Sequence, residues 1–385
     1  MRVLPILLLL ASPFTHAQTW VQQASLPASV RQAPSSFVID GKAYVVGGWN
    51  FSTYFTELWM YDPVLDSWEQ KADLTGPGRQ TGVAFAIDGI GYYGTGNDAN
   101  TKYNDWYAYD PATDTWTPKT PLPGNGRNGA VGWTLNGYGY VATGDAPNYS
   151  AAVFRYDPTL DQWSTLPNFG GTARRYAVGF TLGGYAYLCG GQGSNGHGNT
   201  CWRFDPVDDS WTQVTSYPAG CSGGMAVTLN GRAQMFLGYN GGGYESTLHE
   251  YDPLTDAWTP LADFTGGIRA YATTFMIGDE GYLGMGFGTV MQDDLWKVDG
   301  IPTALPASIG SNAPCNIRVR ADRLNVTLPS PGQVEVFDSG GRTVWSGSLP
   351  GGTSEWQLPL GPGAYPVRVK AGDAVCASRV VVTGW

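Results

Sequence analysis

The chain has 385 residues, of which 14% are charged, and a formal net charge of −10. So acidic a chain offers no basic stripe to replace the counterions around phosphates, which excludes nucleic acid as a partner. With 54 Gly, 15 Trp and 22 Tyr, and no long apolar stripe of helical period after the first residues, it reads as short strands and tight turns with aromatics between sheets.

The chain opens on Arg2, an apolar run from Val3 to Leu10, and the small-residue end Ala11-Ser12-Pro13-Phe14-Thr15-His16-Ala17. This is the pattern of a signal peptide over residues 1–17, cleaved before Gln18. The run is well short of the roughly 20 residues that a bilayer-spanning helix needs. An exported protein is expected.

Residues 18–300 repeat. Tryptophans at 20, 68, 116, 163, 211 and 258 recur every 47 or 48 residues, a period that means a repeat architecture. The last five follow a Tyr/Phe-Asp-Pro triplet, namely Tyr61-Asp62-Pro63, Tyr109-Asp110-Pro111, Tyr156-Asp157-Pro158, Phe204-Asp205-Pro206 and Tyr251-Asp252-Pro253. In such a triplet Asp accepts from the turn backbone and Pro presets φ, so each copy predicts a hairpin. Eleven residues after five of the Trp stands an Arg: Arg31, Arg79, Arg127, Arg174 and Arg269; Trp211 reaches Cys221 after ten. A small-residue apolar strand follows, then a two-residue turn (Asp40-Gly41, Asp88-Gly89, Asn136-Gly137, Gly183-Gly184, Asn230-Gly231). A second strand carries Tyr44, Tyr92, Tyr140, Tyr187 or Tyr282 and ends at a Gly present in all six copies (Gly48, Gly96, Gly144, Gly191, Gly238, Gly286).

Four antiparallel strands per repeat, packed radially, predict an all-β six-bladed propeller. The sixth repeat stops at Asp299 without a fourth strand, and Trp20 stands at the start without the first three. Residues 18–25 are therefore expected to supply the missing strand and close the ring. These motifs resemble the kelch repeat, from about Trp20 to Gly300.

The Pro/Ala/Ser-rich stretch 301–314 reads as a linker. Residues 315–385 alternate like short strands and predict a small β-sandwich. Asp338 to Gly341 and Gly363-Ala364-Tyr365-Pro366-Val367-Arg368-Val369 are similar to the C-terminal sorting domain of type IX secretion cargo. That resemblance implies secretion machinery as a partner, and a secreted or cell-surface place in a Gram-negative bacterium.

In an exported chain cysteines can pair. Cys315 with Cys376 is expected in the tail. In the repeats Cys189 with Cys201 is favoured and Cys201 with Cys221 is the rival, since connectivity does not follow from sequence. Apart from His16 in the leader, the histidines are His197, read as a solvated loop residue, and His249, read as a blade-face residue. Two imidazoles make a poor copper centre, so the kelch-type copper oxidases rank below the other readings. No metal or cofactor is expected.

By strand alternation, the Arg series and the loops after the second strands share one mouth. Arg31, Arg79, Arg127, Arg174 and Arg269 suit anionic groups, although an Arg in nearly every blade is first of all a structural device. The position after the shared Gly varies: Trp49, Asn97, Asp145, Gln192, Tyr239 and Phe287. With Asp98, Asn100, Phe51, Tyr54, Tyr103, Asn148, Tyr149, Asn195, Asn240 and Tyr244, these place aromatics beside amides and carboxylates, as a sugar requires. The favoured reading is a monomeric, non-catalytic module that binds a glycan or protein. The second is a cofactor-free enzyme like the kelch sialic-acid mutarotase, with Asp98, Asp145 and Glu57 as its only candidate acids.

Overall fold

The Tyr-Asp-Pro turns do what their chemistry requires. Asp62 Oδ1 accepts from the N–H groups of Val64 (2.9 Å) and Leu65 (3.3 Å), and Asp110, Asp157, Asp205 and Asp252 make matching bonds. In the two-residue turns from Asp40-Gly41 to Asn230-Gly231 both central residues have positive φ, which matches the twist of the flanking strands.

A computed structural model describes residues 19–236 and 238–299 and, beyond them, the backbone of seven strands between Asn316 and Val382. Blade 1 is Ser35–Ile39, Lys42–Val46, Leu58–Asp62 and Ser67–Lys71, paired in that order. Blades 2 to 5 repeat it, starting at Val83–Ile87, Val131–Leu135, Val178–Leu182 and Met225–Leu229. Blade 6 has Thr273–Ile277, Glu280–Gly284 and Leu295–Asp299, and its outer strand is Trp20–Gln23, with Trp20 opposite Val298 and Gln23 opposite Leu295. The six inner strands neighbour one another in a closed circle. The expected strap is thus present, and Trp20 buries its ring edge-on against Phe236 and Phe264.

The core lies between blades. Phe37 and Tyr44 of blade 1 stack, with centroids 5.2 Å apart, and Tyr44 meets Tyr109 of blade 2 at 5.6 Å; Tyr92–Tyr156, Tyr140–Phe204, Tyr187–Tyr251 and Tyr282–Tyr61 repeat the contact. Aromatic pairs of this kind add about 0.5–1.5 kcal/mol beyond the area they bury.

In four of the five hairpins the second Asp does more than shape a turn. Asp114 Oδ1 accepts from the Tyr109 hydroxyl (2.7 Å) and from the N–H of Ala72 in blade 1 (2.9 Å), while Trp116 Nε1 donates to the Ala72 carbonyl (2.9 Å). One residue of the preceding blade is held by both its backbone groups. Asp66 and Trp68 hold Ala24 in this way, Asp161 and Trp163 hold Thr120, and Asp256 and Trp258 hold Thr215.

A belt of backbone hydrogen bonds circles the axis. The N–H of Thr81 donates to Ala33, Gly129 to Thr81, Tyr176 to Gly129, Gly223 to Tyr176, Tyr271 to Gly223 and Ala33 to Tyr271, at 2.6–3.2 Å. All six residues have positive φ. Outside the belt, Gly48, Gly96, Gly144, Gly191 and Gly286 each donate to a carbonyl of the next blade, that of Arg79, Arg127, Arg174, Cys221 and Arg31. The φ values of these glycines lie between +83° and +98°, and a Cβ on Gly96 would come within 2.6 Å of the Gln80 carbonyl oxygen. That is why this Gly recurs.

In the tail, Asn316–Arg320, Arg323–Leu328 and Gly352–Gln357 form one sheet. Thr343–Leu349, Gly332–Phe337, Gly363–Ala371 and Ala374–Val382 form another. The expected leader, the expected linker and the expected pair of Cys315 with Cys376 lie outside the described residues.

Candidate functional site at the mouth of the propeller

The loop after each second strand returns to the start of an inner strand. Gln32 bridges Trp49, Gln80 bridges Asn97, Asn128 bridges Asp145, Arg175 bridges Gln192, Ser222 bridges Tyr239 and Ala270 bridges Phe287. The varying position therefore rings one mouth, as expected, beside a second varying column that immediately follows the arginines.

The arginines themselves are turned away from that mouth. Arg31, Arg79, Arg127, Arg174 and Arg269 are 0–4% exposed. Each donates to a carbonyl 16 residues further on, that of Gly47, Thr95, Thr143, Gly190 and Met285. Arg31 also pairs with Glu57, Arg79 with both oxygens of Asp105, and Arg269 with both oxygens of Asp294. They are internal braces, and a ligand anion at the surface would not meet them. In blades 3 and 4 the carboxylate is missing. Arg174 has Thr200 instead, and Arg127 makes its one side-chain hydrogen bond among the described residues to Thr143, burial lowering its pKa to about 10. In blade 5 Cys221 replaces Arg, and the Tyr217 hydroxyl reaches the Met235 carbonyl (3.4 Å) and His249 Nδ1 (3.0 Å).

The varying residues divide the mouth in two. Over blades 1, 6, 5 and 4 runs an unbroken arc of rings, Tyr54–Trp49–Phe51–Phe287–Tyr244–Tyr239–His197, with centroids 4.8–5.7 Å apart. Phe51, where the arc passes from blade 1 to Phe287 of blade 6, is 60% exposed and sits at φ +73°. A bulky side chain rarely adopts that backbone unless the surroundings impose it, and such strain clusters at functional sites.

Over blades 2 to 4 the mouth is polar. Asp145 takes Lys102 Nζ on one oxygen and Arg175 Nη1 on the other, both at 3.0 Å. Arg175 Nε donates to Gln192 Oε1 (3.1 Å), and its guanidinium lies over Tyr176, 4.6 Å from the centroid. Asn97 Oδ1 accepts from Thr81 and Asn128. An open cleft of about 490 Å³ runs between blades 3 and 4, lined by Asp145, Asn148, Tyr149, Thr172, Arg175 and Ser194 among others. Below, Tyr176 and Tyr271 meet edge to face at 5.3 Å, so two large rings stand beside the axis.

All three candidate acids are occupied. Asp98 is held below the usual carboxylate range by the Tyr103 hydroxyl and the N–H groups of Asn100 and Thr101. Burial pushes Glu57 up, but its bonds from Arg31 and Trp59 prevail and leave its pKa lowered. Asp145 is the double ion pair just described.

His197 corrects the sequence reading. It is half-buried rather than solvated, its Nδ1 lies 2.9 Å from Ser222 Oγ, and burial lowers its pKa. His249 lies instead at Tyr217. The two imidazoles thus have different partners, and among the described residues no three His, Cys, Asp or Glu side chains could hold a metal ion. Cys189 and Cys201 form the favoured disulfide, and Cys221 is free and buried.

A kelch-motif model matches residues 31–75 and 173–216. Of 644 matching chains among solved structures, the structure of YjhT has a TM-score of 0.61 and 17% identity, and covers 72% of this chain and 95% of that one. At that identity the likeness shows the fold alone. No curated protein matches the chain.

Proposed function

We propose that this kelch-repeat propeller is an exported, non-catalytic module that binds a glycan at its loop-rich mouth. One observation carries the reading: an arc of aromatic rings at positions that differ between repeats, beside a cluster of amide, guanidinium and carboxylate groups. A sugar ring offers an apolar face to the first and hydroxyls to the second. A protein ligand would use the aromatics but has less need of so dense a polar half. The engagement of Asp98, Asp145 and Glu57 in ion pairs or turns supports binding over mutarotation, because a proton-transfer acid needs a site for its proton. The tail, read as a β-sandwich that secretion machinery recognises, would deliver the protein to the outside, where a monomer suffices.

Screening the full mature chain on a glycan array, followed by titration of the Trp fluorescence, tests this. Phe51→Ala and Trp49→Ala are expected to weaken glycan binding about tenfold or more, since truncating an aromatic anchor of a binding surface costs about 2 kcal/mol. Unchanged affinity in both variants, or faster anomer exchange in the presence of the wild-type protein, would refute it.

A further inference from the structure

The charge of the mouth is uneven in a way that the overall acidity hides. In blades 1, 2 and 6 each brace arginine is neutralised by Glu57, Asp105 or Asp294. In blades 3 and 4, Arg127 and Arg174 are buried with no carboxylate partner among the described residues. On the surface above them Lys102 and Arg175 share one carboxylate, Asp145. Asp98, an acid of the neighbouring loop, is tied to its own turn. Lys102, Arg127, Arg174 and Arg175 against Asp98 and Asp145 leave an excess of two positive charges in a protein of net charge −10. Buried cations are screened far less than exposed ones, so their field emerges at the nearest opening. That opening is the cleft between blades 3 and 4, with Arg175 and Asp145 on its wall.

Resting on the glycan reading, we infer that the ligand is an acidic polysaccharide. Its carboxylate or sulfate group enters the cleft against Arg175 and Lys102, and a neighbouring sugar ring lies on the aromatic arc. Asp145 then acts as an internal stand-in for the ligand anion. It holds both cations in place when the cleft is empty and competes with the ligand when it is filled.

Calorimetry with the full mature chain tests this, using oligogalacturonate, a sulfated oligosaccharide and a neutral cello-oligosaccharide as probes at low and at 0.5 M NaCl. We expect one of the acidic probes to bind at least tenfold more tightly than the neutral one and to lose most of that advantage in salt; which one does so identifies the anion. Arg175→Gln should weaken the acidic probe roughly tenfold, the loss of a charge-assisted bond, and the neutral one by clearly less, since a hydroxyl loses only a neutral hydrogen bond there. Asp145→Asn should tighten the acidic probe several-fold, a gain that misfolding cannot produce. If neutral and acidic probes bind equally at both salt concentrations, or if Asp145→Asn weakens the acidic probe, the inference fails while the glycan reading stands. If no sugar binds, both fail.

Discussion

The seam between blades 2 and 3 and the seam between blades 3 and 4 come from equivalent stretches of sequence, yet they are held differently. At the first, Asp161 and Trp163 grip the N–H and C=O of Thr120, and the Tyr156 hydroxyl bonds to Asp161. At the second, Pro167 stands where Thr120 stood and has no N–H, and Phe204 replaces the Tyr and has no hydroxyl. Asp209 Oδ1 and Trp211 Nε1 are left buried with no hydrogen-bond partner among the described residues. The brace arginines on both sides of this seam, Arg127 and Arg174, lack carboxylates, and the cleft opens above it. The belt continues across both seams, as do the bonds from Gly96 to the Arg127 carbonyl and from Gly144 to the Arg174 carbonyl. The wheel therefore does not need all of its blade-to-blade clasps: the seam that carries the polar half of the mouth lacks this one, and at the seam between blades 5 and 6 Trp20 Nε1 is likewise buried with no hydrogen-bond partner among the described residues. Departures from a repeat's own rules are expected where function is.

Stability measurements can break or sharpen this contrast. The largest effect should come from the braces. Arg79→Met strands the Asp105 carboxylate beside a seam-filling apolar chain and should cost about 3–5 kcal/mol. Arg127→Met removes a buried cation that no anion compensates and should fall within about 1 kcal/mol of wild type, or above it. Equal losses in denaturant melts would mean that the carboxylates are not what separates the two blades.

A smaller effect, of opposite sign, should follow from repairing the weak seam. Phe204→Tyr combined with Pro167→Thr gives Asp209 the hydroxyl and N–H found elsewhere and should stabilise by about 1–2 kcal/mol. Calorimetric unfolding would show no rise in midpoint if the clasp needs more than its two missing donors.

The smallest effect concerns the third kind of seam, where Tyr217 and His249 stand in for an arginine. Burial lowers the pKa of His249 below its ordinary value, opposed by Asp263. The native state therefore keeps the imidazole neutral while the unfolded chain takes up a proton as pH falls through about 6.5. Stability is full above that value and declines below it, levelling off once the pH is under the folded pKa. His249→Gln should flatten part of the decline between about pH 6.5 and 5, by less than about 1 kcal/mol. An unaltered slope would assign the decline to His197 or to the carboxylates.

The fold was legible because its signals are periodic. The Trp spacing, the Asp-Pro turns and the orphaned Trp20 fix the blade count and the closure without tertiary information. The site was legible in part. The column after the shared Gly lies at the mouth, but the arginines do not, because neighbouring side chains at the head of a strand point to opposite sides. Arg174 turns inward and Arg175 outward. Sequence reasoning passed over Arg175, Lys102 and Asn128, although the signal was there: the residue after each Arg differs in every blade except the first two (Gln32, Gln80, Asn128, Arg175, Ser222, Ala270). What no pattern could supply was the double pairing of Asp145, which joins three loops far apart in the chain.

The backbone belt has a consequence of its own. A helix leaves its first N–H and last C=O groups unpaired, and its ends become natural places for ions. A circle has neither a first donor nor a last acceptor. Six peptide groups passing a hydrogen bond hand to hand around the axis offer nothing to a guest, so selectivity in this molecule falls to the side chains that stand around the hub.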